Sequence, residues 1–165
     1  MKNIEDVIVN KILDLIDFTL SKFIKADMNI KNVREITEEV ILKLKNEEQI
    51  EGIIIDVDET LRKDMNSIPK CNREWLEMVA KHLKIIILSN GKDDKIEEFF
   101  ETRGINYIYL AHKPLKKNFL RACEKISVDP KKVVVVGDGI FQDIHGGNKN
   151  NMKTIQVHEV EDDER

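Results

Sequence analysis

Two aspartates, Asp56 and Asp58, stand one residue apart, directly behind the apolar run Ile53-Ile54-Ile55 and ahead of Thr60. On an extended chain, acids at that spacing point to the same side, with Cα atoms about 6.6 Å apart at the usual strand rise. A metal ion or a phosphoryl-sized group fits between carboxylates so placed. Three further strand-like runs lead into polar groups. Ile85 to Leu88 ends on Ser89-Asn90-Gly91, Tyr107 to Leu110 leads to His112-Lys113-Pro114, and Val133 to Val136 ends on Gly137-Asp138-Gly139, with Asp143 five residues beyond Asp138. Carboxylates gathered in one place repel one another and need a cation. Oxygen-only donors favour a hard ion, and Mg²⁺ is the natural candidate. Lys113 offers a point charge to a phosphate oxygen, and Ser89 a hydroxyl beside it. No pairing of histidine with serine or cysteine suggests acyl transfer.

These residues can meet only if the runs that carry them lie side by side. Short β-branched runs without alternation read as strands buried on both faces of a parallel sheet. Helical spacing separates them: Asn72 to Leu83, a stretch capped by Asp93 and stopping at Gly104, one starting at Pro114 and ending before Asp129-Pro130, and one from about Ile140 to Gly146-Gly147. Lys153 to Val157 makes a fifth strand. Alternation of this kind from residue 52 onward predicts an α/β, Rossmann-like sheet of five parallel strands flanked by helices. Its carboxyl-terminal edge, where such sheets bind ligands, would gather the polar groups.

Ahead of that core, apolar residues at Ile4, Ile8, Ile12, Ile16 and Leu20 mark an amphipathic helix. A second helix is expected from Asn32, with Glu35 completing a capping box and Val33, Ile36, Val40, Ile41 and Leu44 as its stripe. The expected organisation is a helical extension over 1–48, a catalytic core over 49–158 and an acidic tail over 159–165. The extension is expected to pack on the core or to form a homodimer, with a lid over the site as the sharper alternative.

Of the 165 residues, 41% are hydrophobic and 35% charged, which describes a globular chain. The net charge of −4 and the lack of any basic block argue against nucleic acid as the main partner. Lys11, Asp14, Asp17 and Lys22 interrupt the first apolar stretch, so no transmembrane segment is expected there. Two cysteines without metal-ligand spacing, Cys71 and Cys123, suit reduced packing residues and a cytoplasmic location.

The ordered set resembles the motif series of the haloacid dehalogenase (HAD) superfamily of phosphohydrolases. Asp-Val-Asp-Glu-Thr (56–60) matches DxDx[TV], and Ile87-Leu88-Ser89 matches a strand ending in Ser or Thr. Lys113-Pro114 looks like the third motif, and Gly137 to Asp143 matches GDxxxxD. The resemblance implies an aspartyl-phosphate mechanism with Asp56 as nucleophile and Asp58 as general acid and base. Thr60 would orient that loop. Ser89 and the backbone N–H groups of Asn90 and Gly91 would hold phosphoryl oxygens, and Lys113 would neutralise the phosphoaspartate. Asp138 would bind Mg²⁺ with Asp56 and the backbone carbonyl of Asp58, and Asp143 would act from behind these ligands.

Between Thr60 and Ser89 lie only 28 residues, and between Ser89 and Lys113 only 23. Neither gap holds an inserted cap domain, so the chain resembles the capless subfamily IIIA and its YqeG-like group. An open site implies a bulky phosphorylated substrate: a phosphoprotein, a nucleic-acid end or a phospholipid headgroup such as phosphatidylglycerophosphate, on which members of that group act. Two other classes remain: a HAD-like module that binds through its N-terminal helices without catalysis, and a receiver-type phosphoacceptor. The receiver reading is poor, because Ala111-His112 stands where its acceptor aspartate would.

Overall fold

The computed structural model describes residues 4–161. It has the expected α/β architecture, a fully parallel sheet flanked by helices. Its elements are α1 (Ile4–Leu20), β1 (Met28–Ile30), α2 (Glu38–Glu47), β2 (Gly52–Ile55), α3 (Lys70–Ala80), β3 (Lys84–Leu88), α4 (Asp94–Glu101) and β4 (Asn106–Ile108). After these come α5 (Lys116–Ile126), β5 (Val133–Gly137), α6 (Gly146–Lys149) and β6 (Lys153–Val157). The strand order is β1-β6-β5-β2-β3-β4, with every pairing parallel.

Side-chain alternation along the central strands divides the core in two. Ile53 and Ile55 share one buried cluster with Trp75, Leu76 and Phe100. Ile54 shares the other with Phe119, Cys123 and Ile126. Helices on both faces explain why these strands read as unbroken apolar runs. The register pairs Ile55 with both Val136 and Ile87, so the residues just beyond these strands reach one edge together.

The sheet has six strands, not the expected five. Met28–Ile30 pairs with β6, Met28 opposite Ile155 and Ile30 opposite Val157. Three residues with an exposed Asn29 in the middle are too short for a period to show, and only the pairing defines them as a strand. The expected helix from Asn32 also differs. Asn32 Oδ1 accepts from the Arg34 N–H and caps a single 3₁₀ turn at Val33–Glu35. Thr37 Oγ1 accepts from the Val40 N–H and caps α2, which begins at Glu38. The break between the two turns lets Val33 and Ile36 point into the core, where both are wholly buried. Residues 28–48 therefore share the packing of the sheet.

The Trp75 indole N–H donates to the buried Ile36 carbonyl at 2.9 Å, tying this segment to α3. Glu159 and Glu161 of the expected tail pair with Lys31 and Arg34 at 3.6 and 3.1 Å. The rest of that tail, 162–165, lies outside the described residues. Helix α1 leaves Ile8, Ile12, Leu15 and Ile16 exposed, and nothing among the described residues covers them. None of the described helices is long and apolar enough to cross a membrane. Replacing Trp75 by Phe keeps most of the apolar volume but orphans the Ile36 carbonyl. We expect a loss of about 1–3 kcal/mol in urea unfolding; an unchanged midpoint would contradict the role of this bond.

Candidate active site

The ladder between β2 and β5 continues one residue past the strand, with the Asp56 N–H donating to the Val136 carbonyl at 3.0 Å. Alternation turns Asp56 toward the face covered by α5, and Lys113 arrives from the loop before that helix. Lys113 Nζ donates to Asp56 Oδ1 and to Asp143 Oδ1, both at 2.6 Å, with its side chain 1% exposed. Thr60 Oγ1 donates to Asp56 Oδ2 at 3.3 Å and reaches Asp138 Oδ1 at 3.5 Å. Asp143 is fixed from the other side, where its Oδ2 accepts from the Gly139 N–H at 3.1 Å. Gly137 leaves room for Asp143, since a Cβ there would stand 2.3 Å from the Asp143 carboxylate.

Asp56, Asp138 and Asp143 each offer an oxygen within 4.8 Å of the others, a grouping that fits a hard divalent cation. Three carboxylates share one ammonium, and the electrostatics record the surplus. Burial and the neighbouring Asp56 charge push the Asp138 carboxyl up to about 8. Burial pushes Asp143 up to about 6 against the pull of Lys113. Burial alone would lower the Lys113 ammonium, but Asp143 and Asp56 outweigh it and hold it above its ordinary value.

The loop after β3 closes on the same edge. The Ser89 N–H donates to the Ile108 carbonyl, and the Ala111 N–H to the Ser89 carbonyl, each at 3.0 Å. Asn90 works through its side chain: Oδ1 accepts from the Lys113 N–H at 2.7 Å and braces the lysine's backbone. The Gly91 N–H, expected to face a phosphoryl oxygen, donates to Ser89 Oγ at 3.2 Å. Helix α5 starts at Lys116 with Leu115 at its cap, two residues later than the proline suggested, and the Lys113–Pro114 bond is cis.

Asp58 departs furthest from expectation. The chain does not run on extended: the N–H groups of Thr60, Leu61 and Arg62 all turn back to the Val57 carbonyl. Asp58 is thereby carried out of the Asp56 cluster, and its Oδ1 accepts from Arg62 Nε at 2.8 Å. Arg62, 3% exposed, also donates through Nη1 to Asp93 Oδ2 at 2.7 Å. That bond holds the Asp93 carboxyl below the usual range. In the sequence Arg62 falls in the polar stretch between Thr60 and Lys70, and its only signal is an arginine four residues after Asp58.

Comparisons with known proteins place the chain among its relatives. A HAD-hydrolase-like family model matches residues 110–163. Over 141 residues the chain is 39% identical to the probable phosphatase YqeG of Bacillus subtilis, covering 84% of this chain and 79% of that protein. It is 34% identical over 100 residues to the glyceraldehyde 3-phosphate phosphatase of Pyrococcus abyssi, 55% of this chain and 42% of that one. Among solved structures, an uncharacterized protein from Listeria monocytogenes serotype 4b aligns with a TM-score of 0.55 at 23% identity. That match covers 70% of this chain and 84% of the other. A HAD family enzyme of Bacteroides thetaiotaomicron, in complex with magnesium and inorganic phosphate, gives 0.56 at 14% identity, covering 70% and 98%. At these identities the two structures speak to the fold alone.

In metal-free protein the raised carboxyls have a measurable consequence. Asp138 and Asp143 hold protons more tightly folded than unfolded, where the ordinary value is 3.8. Their contribution to stability is full below that value and is lost as the pH rises through about 6 and about 8. With chelator present, thermal unfolding should show Asp138→Asn gaining on the wild type as the pH rises from about 5 to about 9. A difference between the two that does not change with pH would contradict this.

Proposed function

Because the chain belongs to the HAD superfamily of phosphatases, in its YqeG-like group, we propose that it is a Mg²⁺-dependent phosphomonoester hydrolase with Asp56 as nucleophile. The observation that carries the reading is the state of Asp56: buried, ion-paired to Lys113 at 2.6 Å, and grouped with Asp138 and Asp143. A carboxylate so held cannot rotate away, and it stands at the carboxyl end of β2, the edge where sheets of this kind bind ligands.

In the first half-reaction an Asp56 oxygen bonds to phosphorus as the ester P–O bond breaks, and the Asp58 carboxyl gives its proton to the leaving oxygen. In the second, water bonds to phosphorus, its proton passes to the Asp58 carboxylate, and the Asp56–phosphorus bond breaks to release inorganic phosphate. Lys113 offsets the negative charge around Asp56 throughout, while the Ser89 hydroxyl and the Asn90 N–H donate to phosphoryl oxygens. Thr60 fixes the loop between the two acids. Mg²⁺ would be held by Asp56, Asp138 and the Asp58 carbonyl, with Asp143 behind them, and would supply positive charge at the transferring group.

The same reading extends to substrate. Only α3, β3 and their connections lie between Thr60 and Ser89, so no domain is inserted there. That suits a phosphate carried by a bulky molecule: a phosphoprotein, a nucleic-acid end, or a phospholipid headgroup such as phosphatidylglycerophosphate.

With 4-nitrophenyl phosphate and Mg²⁺, Asp56→Asn should reduce turnover to background. Asp58→Asn should lose roughly 10²- to 10⁴-fold with an alkyl phosphate while keeping its Mg²⁺ affinity by calorimetry. Full activity in Asp56→Asn would sink the nucleophile assignment, and a large loss of Mg²⁺ affinity in Asp58→Asn would sink the acid–base one. A panel spanning glyceraldehyde 3-phosphate, a phosphopeptide and phosphatidylglycerophosphate vesicles tests the preference for bulk. A preference for the small ester would overturn it.

A further inference from the structure

We infer that Arg62 is the positioning residue for Asp58, holding one carboxylate oxygen so that the other faces the phosphate loop. The inference rests on the reading of Asp58 as the group that carries the proton. Its observations are geometric. Arg62 Nε donates to Asp58 Oδ1 at 2.8 Å. Nη1 donates to Asp93 Oδ2 at 2.7 Å and to the Asn66 carbonyl at 3.3 Å. Asp93 is itself fixed, because its Oδ1 caps α4 by accepting from the Lys95 N–H at 3.0 Å. The guanidinium is 3% exposed and the Asp58 side chain 40% exposed. A reachable acid is therefore tethered to an almost unreachable base.

The free oxygen has a definite direction. A Cβ placed on Gly91 would stand 3.4 Å from Asp58 Oδ2 and 3.7 Å from Ser89 Oγ. Oδ2 thus lies against the Ser89–Gly91 loop, and Asp58, Ser89 and Gly91 line one small cleft together with Arg62. Oδ1 can accept from Nε whether Asp58 is protonated or not, so the proton travels on Oδ2 while the clamp stays closed. The loop supports the same arrangement, since the Glu59 N–H donates to the Arg62 carbonyl at 2.8 Å. A buried guanidinium needs partners to offset its desolvation, and Asp93 with the Asn66 carbonyl already provides them. The bond to Asp58 is an addition whose beneficiary is the exposed acid. Arginine suits it because its planar fork fixes direction, which a lysine ammonium does not.

The test is the leaving-group dependence of kcat/KM in the Mg²⁺-loaded full chain, from 4-nitrophenyl phosphate through phenyl phosphate to an alkyl phosphate. A nitrophenolate departs without a proton, whereas an alkoxide needs one. Arg62→Lys and Arg62→Ala should lose less than about threefold with the nitrophenyl ester and about 10- to 100-fold with the alkyl ester. Asp93→Asn, which loosens the far anchor, should shift the same way by less, and it decides the matter if the Arg62 variants do not fold. Equal losses across the series, or none, assign Arg62 to loop packing alone and overturn the inference. Asp58→Asn measured alongside separates the two readings. A steep dependence there with flat Arg62 variants overturns only the positioning role. A flat dependence in Asp58→Asn overturns the proton-carrying role and the inference with it.

Discussion

One ammonium group, almost entirely out of water, sets the arrangement of the sheet edge. Lys113 Nζ lies 2.6 Å from both Asp56 and Asp143. A buried charge is tolerated only when its partners are close and their remaining hydrogen-bonding capacity is also met. The surroundings meet that condition from three sides: Asn90 braces the lysine backbone, Thr60 takes the second oxygen of Asp56, and the Gly139 N–H takes that of Asp143. Each brace comes from a different loop. Removing the lysine would leave buried carboxylates without their shared cation, at a cost of about 3–5 kcal/mol, so the loops are bound to one another through a single charge.

The two acids of the first motif end up in different electrical settings although only Val57 separates them. Asp56 stays on the ladder and joins a cluster with surplus negative charge. Asp58 leaves it at the turn around the Val57 carbonyl and meets an arginine in a half-open cleft. Under the proposed roles, the group that attacks benefits from being immobile, and the one that exchanges protons with a leaving group and with water benefits from being reachable. The turn achieves this separation with a backbone bend at Glu59, whose φ is +58°.

The sequence made the centre of the fold legible because burial on both faces leaves an unmistakable pattern. Ile53–Ile55, Ile85–Leu88 and Val133–Val136 could hardly be anything but interior strands, and the polar residues that follow them name the edge. Legibility failed where a structure depends on partners distant in sequence. Met28–Ile30 is a strand only because β6 lies beside it. Asn32 and Thr37 are both good caps, and the choice between them is made by the need to bury Val33 and Ile36. Arg62 lies in a polar stretch of sequence, and nothing local says that its guanidinium will meet Asp93 from across the sheet edge.

The pairing of β1 with β6 bears on how the molecule is made. Asp27 and Thr154, which exchange hydrogen bonds beside that pairing, are 127 residues apart in sequence. Closing so long a loop is entropically costly and comes late. During synthesis, β5 and its Asp138 emerge with no neighbour on that flank, and β6 must leave the ribosome before the flank is filled. Only then does β1, translated long before, find the strand it pairs with. A nascent chain at that stage presents an unpaired strand edge, the kind of surface on which chains aggregate.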